Sequence, residues 1–544
     1  MKILAVIPAR GGSRGIPRKN VRILEGHPLI AYAIRNAKKS QYDMDVCVTT
    51  DDEEIARVAT SYQAQVIDRG QDLAEDHVTL DPVIYDAYQK MEEKKGKTYD
   101  VIITLQATSP LLTTKTLDKA IDYLMEHEDV ETIISVVNHP HLSWGKNEEG
   151  EIIPHYKERL NRQYLPANYF ETGAFLITRA QAMQENSRIG KKLSVFEVPE
   201  NEAVDIDRPQ DWWVCENELS KKTILIRVEG YSKIGLGHVY RGLALAYGLI
   251  HHQVHFVTSE KSDLAQKKLE ASHFPYSVIS SDEEMIDLIK TYHADVVVND
   301  MLNTSLSYME ALKELPVRLI NFEDLGPGAD LADAVINDLY APQKSGNQYY
   351  WGSDYYVIRD EFLFASVSEF HEKVQEVLVI FGGVDPNNLS QKLLEAIPYV
   401  SQNQAIHFTI IVGPGYQAYE ALKEEAASLP YAIDVIQNVK VMSDYMKKAD
   451  LAISSQGRTM LELAAMGVPT VLMAQNEREM THEFGYLTNG FMNLGLGSHL
   501  DSETIGRTLT WLMETPQIRQ QMRQQMVRND LRHGLNRVLK IILE

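Results

Sequence analysis

IPARGGSRGIPRKN, residues 7–20, is the stretch on which the fold assignment depends. KILAVIP at 2–8 runs into it and predicts a buried strand, and PLIAYAIRNAKKS at 28–40 follows it and predicts an amphipathic helix. The alternation continues with VCVTTDD at 46–52 and EEIARVATSY at 53–62. Strands that alternate with helices predict an α/β fold with a parallel sheet covered on both faces. Ligands of such sheets bind at the carboxyl ends of the strands, where this glycine-rich loop lies.

The strand–loop–helix layout restarts twice further along the chain. TILIRVEG at 223–230 follows a polar segment, and EVLVIFGG at 376–383 begins a third series. At roughly 100–200 residues per domain, a chain of 544 residues also favours about three units. We therefore predict three Rossmann-like units with the bounds 1–220, 221–368 and 369–544, the last two facing each other.

The chain is acidic, with a formal net charge of −22 from 54 basic and 76 acidic side chains. An excess of negative charge repels a nucleic-acid backbone, so we expect no nucleic-acid partner. Cys47 and Cys215 lack the second cysteine or paired histidine of a zinc site, and we expect both to be reduced. No apolar run approaches the ~20 residues that a membrane span needs, and we expect a cytoplasmic protein.

The loop at 7–20 has the composition of a phosphate-binding site. Glycines allow a phosphate to approach the backbone closely, and clustered basic side chains oppose the charge of a triphosphate. The loop lacks the GK[ST] ending of a Walker loop and does not fit a dinucleotide fingerprint. Its candidate nucleotide-binding residues are Arg10, Gly12, Ser13, Arg14, Lys19 and Asn20.

Two later stretches complete the first candidate site. LQATSP at 105–110 places Gln106 and two hydroxyl groups at a strand end. AVDIDRPQDW at 203–212 carries Asp205 and Asp207 at alternate positions, which lie on one face of an extended segment. Paired carboxylates, together with triphosphate oxygens, suit Mg²⁺, so these two aspartates are the predicted metal ligands.

These motifs resemble those of the CMP-sialic acid synthetases and their pseudaminic and legionaminic acid relatives. IPARGGSRGIPRKN, VTTDDEEIA, LQATSPL, RQYLP and VDIDRPQDW match in order over essentially the whole first unit. The resemblance implies that the anomeric hydroxyl of a nonulosonic acid attacks the α-phosphorus of CTP and that pyrophosphate leaves. It also implies a homodimer.

The resemblance also implies roles for individual residues. Arg10, Ser13, Lys19, Asn20 and Gln106 would hold CTP or its acceptor. Arg162 and Gln163 would face the acidic sugar. Asp205 and Asp207 would bind Mg²⁺ and, with Lys19, form the catalytic group.

The loop at 230–246, GYSKIGLGHVYRGLALA, repeats the strand–loop–helix pattern and places His238 at a helix start. A lone histidine is more often structural than catalytic, but a glycine-rich loop at a strand end favours catalysis or direct substrate contact. Because a helix N-terminus disfavours imidazolium, we expect His238 to stay neutral and to accept a proton.

In the third unit, the stretch at 454–479 suits a nucleotide. Gly457, Arg458 and Thr459 precede a predicted helix that carries Glu462. Backbone N–H groups at a helix start suit a diphosphate, and a carboxylate one turn further on suits the hydroxyl pair of a ribose.

The second half of the chain resembles the GT-B superfamily, most closely the nucleotide-sugar hydrolase of pseudaminic acid biosynthesis. GxGHxxR at 235–241, FEDLG at 322–326, FGGVDPNNLS at 381–390 and the region of Glu462 match in order. The resemblance implies a GT-B fold in which His238 activates water to expel UDP from a UDP-linked sugar. It places Glu462 on the uridine ribose and Gly457, Arg458 and Thr459 near the diphosphate.

The whole chain is therefore expected to be a bifunctional enzyme of nonulosonic acid biosynthesis. Met301 and Leu302 stand where typical hydrolases carry a tyrosine after the aspartate. Two other functions of the second half stay open. It could be a glycosyltransferase that uses the CMP-sugar made by the first unit, or a module that senses a nucleotide sugar without catalysis.

Overall fold

The computed structural model describes residues 1–12, 15–75, 77–231, 234–401 and 405–544. Two residues of the predicted nucleotide loop, Ser13 and Arg14, lie outside the described residues. The chain divides into two compact units, Met1–Lys221 and Lys222–Glu544. The further division predicted after residue 368 remains a prediction, because the second unit is one compact body.

The first unit consists of strands, short strand pairs and five helices within its described residues. The strands are β1 (Ile3–Pro8), β2 (Ile23–Leu24), β3 (His27–Pro28), β4 (Met44–Thr50), β5 (Gln65–Asp68), β6 (Val101–Leu105), β7 (Thr132–Asn138), β8 (Trp144–Lys146), β9 (Ile152–Pro154), β10 (Tyr169–Arg179) and β11 (Leu193–Glu197). The helices are α1 (Leu29–Lys39), α2 (Glu53–Ser61), α3 (Leu80–Lys95), α4 (Thr114–Glu126) and α5 (Pro209–Leu219). The main sheet has the strand order β11-β7-β10-β6-β1-β4-β5.

β1 lies near the centre of this sheet and pairs in parallel with β4 and β6. Ala5 and Ile7 pack into the core formed with α1 and α4, whereas Leu4 and Val6 pack on the opposite face with α3. Burial on both faces explains why the strand reads as an unbroken apolar run. The loop that follows Pro8 therefore begins in the middle of the carboxyl edge of the sheet.

One strand of the first unit departs from the predicted parallel arrangement of the sheet. β10 runs antiparallel to both β6 and β7, between which it lies. A parallel return needs a crossover, usually a helix. Residues 139–168, which join β7 to β10, contain the β8–β9 hairpin and a short 3-10 turn instead of an α-helix.

The second unit contains two parallel sheets. The strands are β12 (Thr223–Val228), β13 (Gln253–Ser259), β14 (Tyr276–Ile279), β15 (Val296–Asp300), β16 (Arg318–Phe322), β17 (Ala334–Asn337), β18 (Tyr349–Trp351), β19 (Glu376–Ile380), β20 (His407–Val412), β21 (Ala432–Gln437), β22 (Leu451–Ser454), β23 (Thr470–Ala474) and β24 (Phe491–Leu496). The helices are α6 (Gly237–Gly248), α7 (Asp263–Ser272), α8 (Asp282–Tyr292), α9 (Leu306–Lys313), α10 (Asp360–Phe364), α11 (Leu389–Ala396), α12 (Tyr419–Ser428), α13 (Met442–Lys448), α14 (Thr459–Met466), α15 (Ser502–Glu514), α16 (Pro516–Val527) and α17 (Gly534–Leu543).

The strand orders of these two sheets confirm the predicted Rossmann-like architecture. They are β14-β13-β12-β15-β16-β17-β18 and β21-β20-β19-β22-β23-β24. In each sheet, the second and third strands lie on one side of the first strand, and the later strands lie on its other side. This is the order 3-2-1-4-5-6 of dinucleotide-binding folds. The point of reversal lies beside β12 in one sheet and beside β19 in the other, so ligands are expected at these strand ends.

Both cysteines are buried free thiols, Cys47 in β4 and Cys215 in α5. Burial raises the pKa of each thiol, which keeps both protonated and poorly reactive. Across the described ranges, every helix is too short or too polar to cross a membrane.

The loops after β19 and β20 meet without room for a side chain. A Cβ added at Gly413 would lie 2.3 Å from the carbonyl oxygen and 2.4 Å from the Cα of Gly383. We expect Gly413→Ala to lower the free energy of unfolding of the second unit by about 1–3 kcal/mol, because the loops must separate. Chemical denaturation of the full chain measures this change.

Gly383→Ala is the matched control, since a Cβ there would meet nothing within 4 Å. Equal stabilities of the two alanine variants would contradict the close contact between the loops.

Candidate active sites

A cavity of ≈ 330 Å³ opens at the carboxyl edge of the sheet in the first unit. It draws its lining from the ends of β1, β5 and β6 and from the segment before α5. The lining residues are Pro8, Arg10, Gly12, Gly15, Lys19, Asn20, Arg69, Leu80, Gln106, Ala107, Thr108 and Asp207. The structure thus brings together the described residues that were predicted to bind CTP.

The glycine-rich loop and the aspartate segment, residues 203–212, contact each other directly. Lys19 donates a hydrogen bond of 2.5 Å from Nζ to the carbonyl oxygen of Ile206, and the same nitrogen lies 3.3 Å from Oδ1 of Asp207. Gly15 packs so closely that a Cβ there would lie 2.3 Å from the carbonyl oxygen of Asp207. Asn20 stabilises the loop from within, because its Nδ2 donates to the carbonyl oxygen of Arg10 at 3.1 Å.

The carboxylates of Asp205 and Asp207 differ in exposure. The side chain of Asp207 is 75% exposed, whereas Oδ1 of Asp205 is buried and has no hydrogen-bond partner among the residues that the structure describes. Burial raises the pKa of Asp205, a hydrogen bond from Thr108 opposes this, and the charge of Asp207 raises it further.

An unpartnered carboxylate oxygen beside a second carboxylate is a donor set that fits a divalent cation. The described residues contain no group of three or more histidine, cysteine, aspartate or glutamate side chains that could hold a metal ion. A cation at Asp205 and Asp207 would therefore take its further oxygen ligands from a bound triphosphate or from water.

Arg69 is a residue of this cavity that the sequence reasoning missed. It follows β5 and is 5% exposed, and its Nη2 donates to the carbonyl oxygen of Thr49 at 3.1 Å. Its Nε has no hydrogen-bond partner within the described ranges. Burial lowers its pKa, and the charge of Asp51 opposes this effect. The available signal was the DRG sequence at 68–70, which begins at the last residue of β5.

The residues predicted to face the acidic sugar lie elsewhere. Arg162 and Gln163 are exposed in the 3-10 turn Arg162–Tyr164, within the segment that joins β7 to β10. Neither residue lines the cavity of the first unit. A sugar bound only within this cavity would therefore not contact Arg162 or Gln163.

A second cavity of ≈ 400 Å³ lies in the second unit, between the carboxyl ends of its two sheets. The predicted residues His238, Gly457, Arg458, Thr459 and Glu462 all line it. α14 begins at Thr459, so its first backbone N–H groups are at the cavity, as the diphosphate prediction requires.

His238 is buried near the start of α6 and contacts an acidic side chain that the sequence reasoning did not assign. Its Nδ1 lies 2.5 Å from Oδ1 of Asp300, at the end of β15. Burial lowers the pKa of His238, but the charge of Asp300 and its hydrogen bond outweigh burial and raise the pKa above its ordinary value. This rise runs against the expectation of a neutral His238, because a fully buried carboxylate in direct contact affects the pKa more strongly than the weak field of a helix N-terminus.

Arg241, one turn after His238, completes a buried charge network. Its Nε donates to Oδ2 of Asp300 at 2.7 Å, and its Nη1 donates to Oε1 of Glu323 at 2.9 Å. Despite burial, Arg241 and His238 lower the pKa of Asp300 to about 2. Asp338 lies 3.3 Å from Nη1 of Arg241, and burial raises its pKa, with Arg241 opposing and Glu323 adding to the rise.

Arg458 extends this network from the loop before α14. Its Nη1 donates to Oδ2 of Asp338 at 3.1 Å, and its Nη2 also contacts Glu323. The sequence predicted that Arg458 lies near a diphosphate. The structure places it in the cavity lining but pairs its guanidinium with these two carboxylates, so it connects the two sheets of the second unit.

The arrangement in the first unit, a cationic glycine-rich loop beside paired aspartates at a strand edge, defines a nucleotide-binding α/β protein. Residues 4–229 match the family described as cytidylyltransferase, and residues 375–493 match the family described as group 1 glycosyl transferases. The pseudaminic acid cytidylyltransferase of Campylobacter jejuni is 35% identical over 219 residues, 39% of this chain and 93% of that protein. The chain belongs to the cytidylyltransferase family. Its second unit has the two Rossmann-like sheets expected of a GT-B fold, and residues 375–493 within it are similar to group 1 glycosyl transferases.

Two further relatives cover different shares of the chain. N-acylneuraminate cytidylyltransferase A of Danio rerio is 34% identical over 224 residues, 40% of this chain and 50% of that protein. The spore coat polysaccharide biosynthesis protein SpsG of Bacillus subtilis is 28% identical over 304 residues, 53% of this chain and 88% of that protein. The chain thus spans about half the length of some of its relatives, including the Danio rerio protein.

The contact between His238 and Asp300 predicts a dependence on pH. Because the folded pKa of His238 is raised, the pair stabilises the fold fully below about pH 6.5, and this stabilisation is lost as the pH rises through the folded pKa. We expect Asp300→Asn to bring the pKa of His238 below its ordinary value, since burial then dominates. Histidine-selective NMR titration of the full chain measures the pKa of His238. The His238 signal is assigned as the one that disappears in His238→Gln.

His255 serves as an internal control in the same spectra. Burial alone lowers its pKa, so Asp300→Asn should leave its titration unchanged. A His238 titration that is the same in the native chain and in Asp300→Asn would contradict the electrostatic account.

Proposed function

We propose that residues 1–221 transfer CMP from CTP to a nonulosonic acid of the pseudaminic, legionaminic or sialic type. The observation that carries the proposal is the strand-edge cavity, where Arg10, Lys19 and Arg69 converge in a chain of net charge −22. A local group of cations in an acidic chain suits a polyanionic ligand. The family match and the names of the two cytidylyltransferase relatives support this reaction.

In this reaction the anomeric hydroxyl of the sugar loses its proton to solvent, its oxygen forms a bond to the α-phosphorus of CTP, and the bond from that phosphorus to the pyrophosphate oxygen breaks, so that pyrophosphate leaves. The loop backbone around Gly12 and the amide of Gln106 would bind and orient the nucleotide. Lys19, held against the carbonyl oxygen of Ile206, would keep its charge beside the phosphates. Magnesium at Asp205 and Asp207 would supply charge neutralisation to the triphosphate.

The acceptor sugar and the oligomeric state belong to the same proposal. Arg162 and Gln163 lie on an exposed segment and do not line the cavity. They would bind the sugar acid only if it extends out of the cavity to reach them. We keep the homodimer as a prediction from the family resemblance, and light scattering of the full chain measures it directly.

Asp207→Asn tests the role of the aspartate pair. We expect pyrophosphate release from CTP and a nonulosonic acid to fall by at least about 100-fold, because one anionic metal ligand is lost, while CTP still binds weakly. Asp205→Asn should have the same direction of effect. To identify the acceptor, pyrophosphate release by the native chain is measured with pseudaminic, legionaminic and sialic acid in turn.

Asp43→Asn is the control, since Asp43 is exposed in the loop before β4, at the opposite edge of the sheet. Unchanged turnover in Asp207→Asn would refute the metal assignment, and no pyrophosphate from any of the three acids would refute the reaction.

For the second unit we propose binding of a nucleoside diphosphate sugar followed by glycosyl transfer. The observation that favours this function is the cavity between two Rossmann-like sheets, with the start of α14 on one side and His238 on the other. The group 1 glycosyl transferase match over 375–493 favours transfer over hydrolysis. Hydrolysis of a UDP-sugar and sensing without catalysis are the competing outcomes of the test.

Nucleotide release separates these three functions. We expect release of the nucleotide from a nucleotide sugar only when an acceptor is present, and a loss of this release in His238→Ala, because the side chain facing the reaction site is removed. UDP release from a UDP-sugar without acceptor would establish hydrolysis instead. Altered cytidylyltransfer kinetics without any turnover of the nucleotide sugar would establish sensing.

A further inference from the structure

Arg359 lies in the connector between the two sheets of the second unit, directly before α10, and its guanidinium binds Glu462. Nε donates to Oε1 at 2.6 Å and Nη2 donates to Oε2 at 2.9 Å. Glu462 is 6% exposed on α14, and both residues line the cavity of this unit. Two parallel bonds of this kind fix the orientation of a carboxylate as well as its charge.

Arg359 is itself fixed by its neighbours. Its Nη1 lies 3.0 Å from Oε1 of Glu361, and its guanidinium lies 5.5 Å from the ring centre of Tyr240 and 5.1 Å from that of Phe362. Tyr240 belongs to α6, two residues after His238. The carboxylate of Glu462 is thus bound by a guanidinium that contacts both the connector and α6.

The two bonds from Arg359 leave part of the acceptor capacity of Glu462 unused. An ionised carboxylate has about four lone-pair positions and donates no hydrogen bond. Neighbouring hydroxyl groups, such as those at C2′ and C3′ of a ribose, are donors that match the remaining positions. A 2′-deoxyribose lacks one of these donors, so a fixed carboxylate would distinguish the two sugars.

We propose that Arg359 is a positioning residue that orients Glu462 for ribose recognition, so that the second unit selects ribonucleotides over 2′-deoxyribonucleotides. This inference rests on the proposed function, namely that the second unit binds a nucleoside diphosphate at the start of α14. Arg359 acts through Glu462 and does not itself contact the nucleotide.

Calorimetric titration of the full chain with UDP and 2′-deoxy-UDP tests the inference, whereas a cytidine nucleotide would also bind the candidate CTP site of the first unit. We expect the native chain to bind the ribonucleotide at least about tenfold more tightly than its deoxy counterpart. In Arg359→Met the affinity for the ribonucleotide should fall by about tenfold while that for the deoxynucleotide barely changes, so the ratio approaches one. Glu462→Gln should lower the ratio in the same direction.

Two controls separate positioning from folding. Arg528→Met removes an exposed arginine of the same unit and should leave the ratio at its native value. Arg359→Lys keeps the charge without the fork of two N–H donors and should give an intermediate ratio. Thermal unfolding identifies any variant that is not folded. If Arg359→Met does not fold, Arg359→Lys is compared with the native chain instead.

Each contrary result has its own meaning. A native ratio in folded Arg359→Met, or an equal loss of affinity for UDP and 2′-deoxy-UDP, would overturn the positioning role while nucleotide binding by the second unit stands. Failure of the correctly folded native chain to bind either UDP or 2′-deoxy-UDP would overturn the proposed nucleotide function and this inference together.

Discussion

The hydrogen bond from Lys19 to the carbonyl oxygen of Ile206 is the contact on which the candidate CTP site depends. It joins the glycine-rich loop to the aspartate segment, which are 187 residues apart in the sequence. The close approach of Gly15 to the backbone of Asp207 reinforces the same junction. Since the loop begins at the end of the central strand, the cations and the carboxylates are placed at one strand edge, where a triphosphate and its counter-ion can meet.

The second unit satisfies a related constraint in a different way. Parallel strands bring Asp300, Glu323 and Asp338 to one buried edge, and unpaired charges there would be strongly destabilising. Arg241 neutralises them from α6, and Arg458 does so from the opposite sheet. The charge network therefore raises the pKa of His238 and also connects the two sheets that line the cavity.

Much of the first site could be predicted because its elements are local in the sequence. The loop after β1 and the alternating pair Asp205 and Asp207 each carry their chemistry within a few residues. The antiparallel β10 could not be predicted from strand patterns alone, because its direction depends on a connection that lacks a crossover helix. Arg69 was missed because only the fold shows that the end of β5 borders the same cavity.

Long-range contacts explain the remaining differences in the second unit. Asp300 is 62 residues from His238, and that contact, not the place of the histidine in a helix, raises its pKa. Arg359 is 103 residues from Glu462, in a connector that carries no recognisable motif. Sequence patterns identified His238 and Glu462 themselves, but the partners that tune and orient them emerged only from the packing of the sheets.

Calorimetry of CTP binding to the full chain at saturating magnesium tests the central claim most directly. The account predicts binding at one site per chain in the first unit, together with a strong loss of affinity in Lys19→Met, which removes the cation that joins the loop to the aspartate segment. Absence of any heat of CTP binding to correctly folded native protein would contradict it.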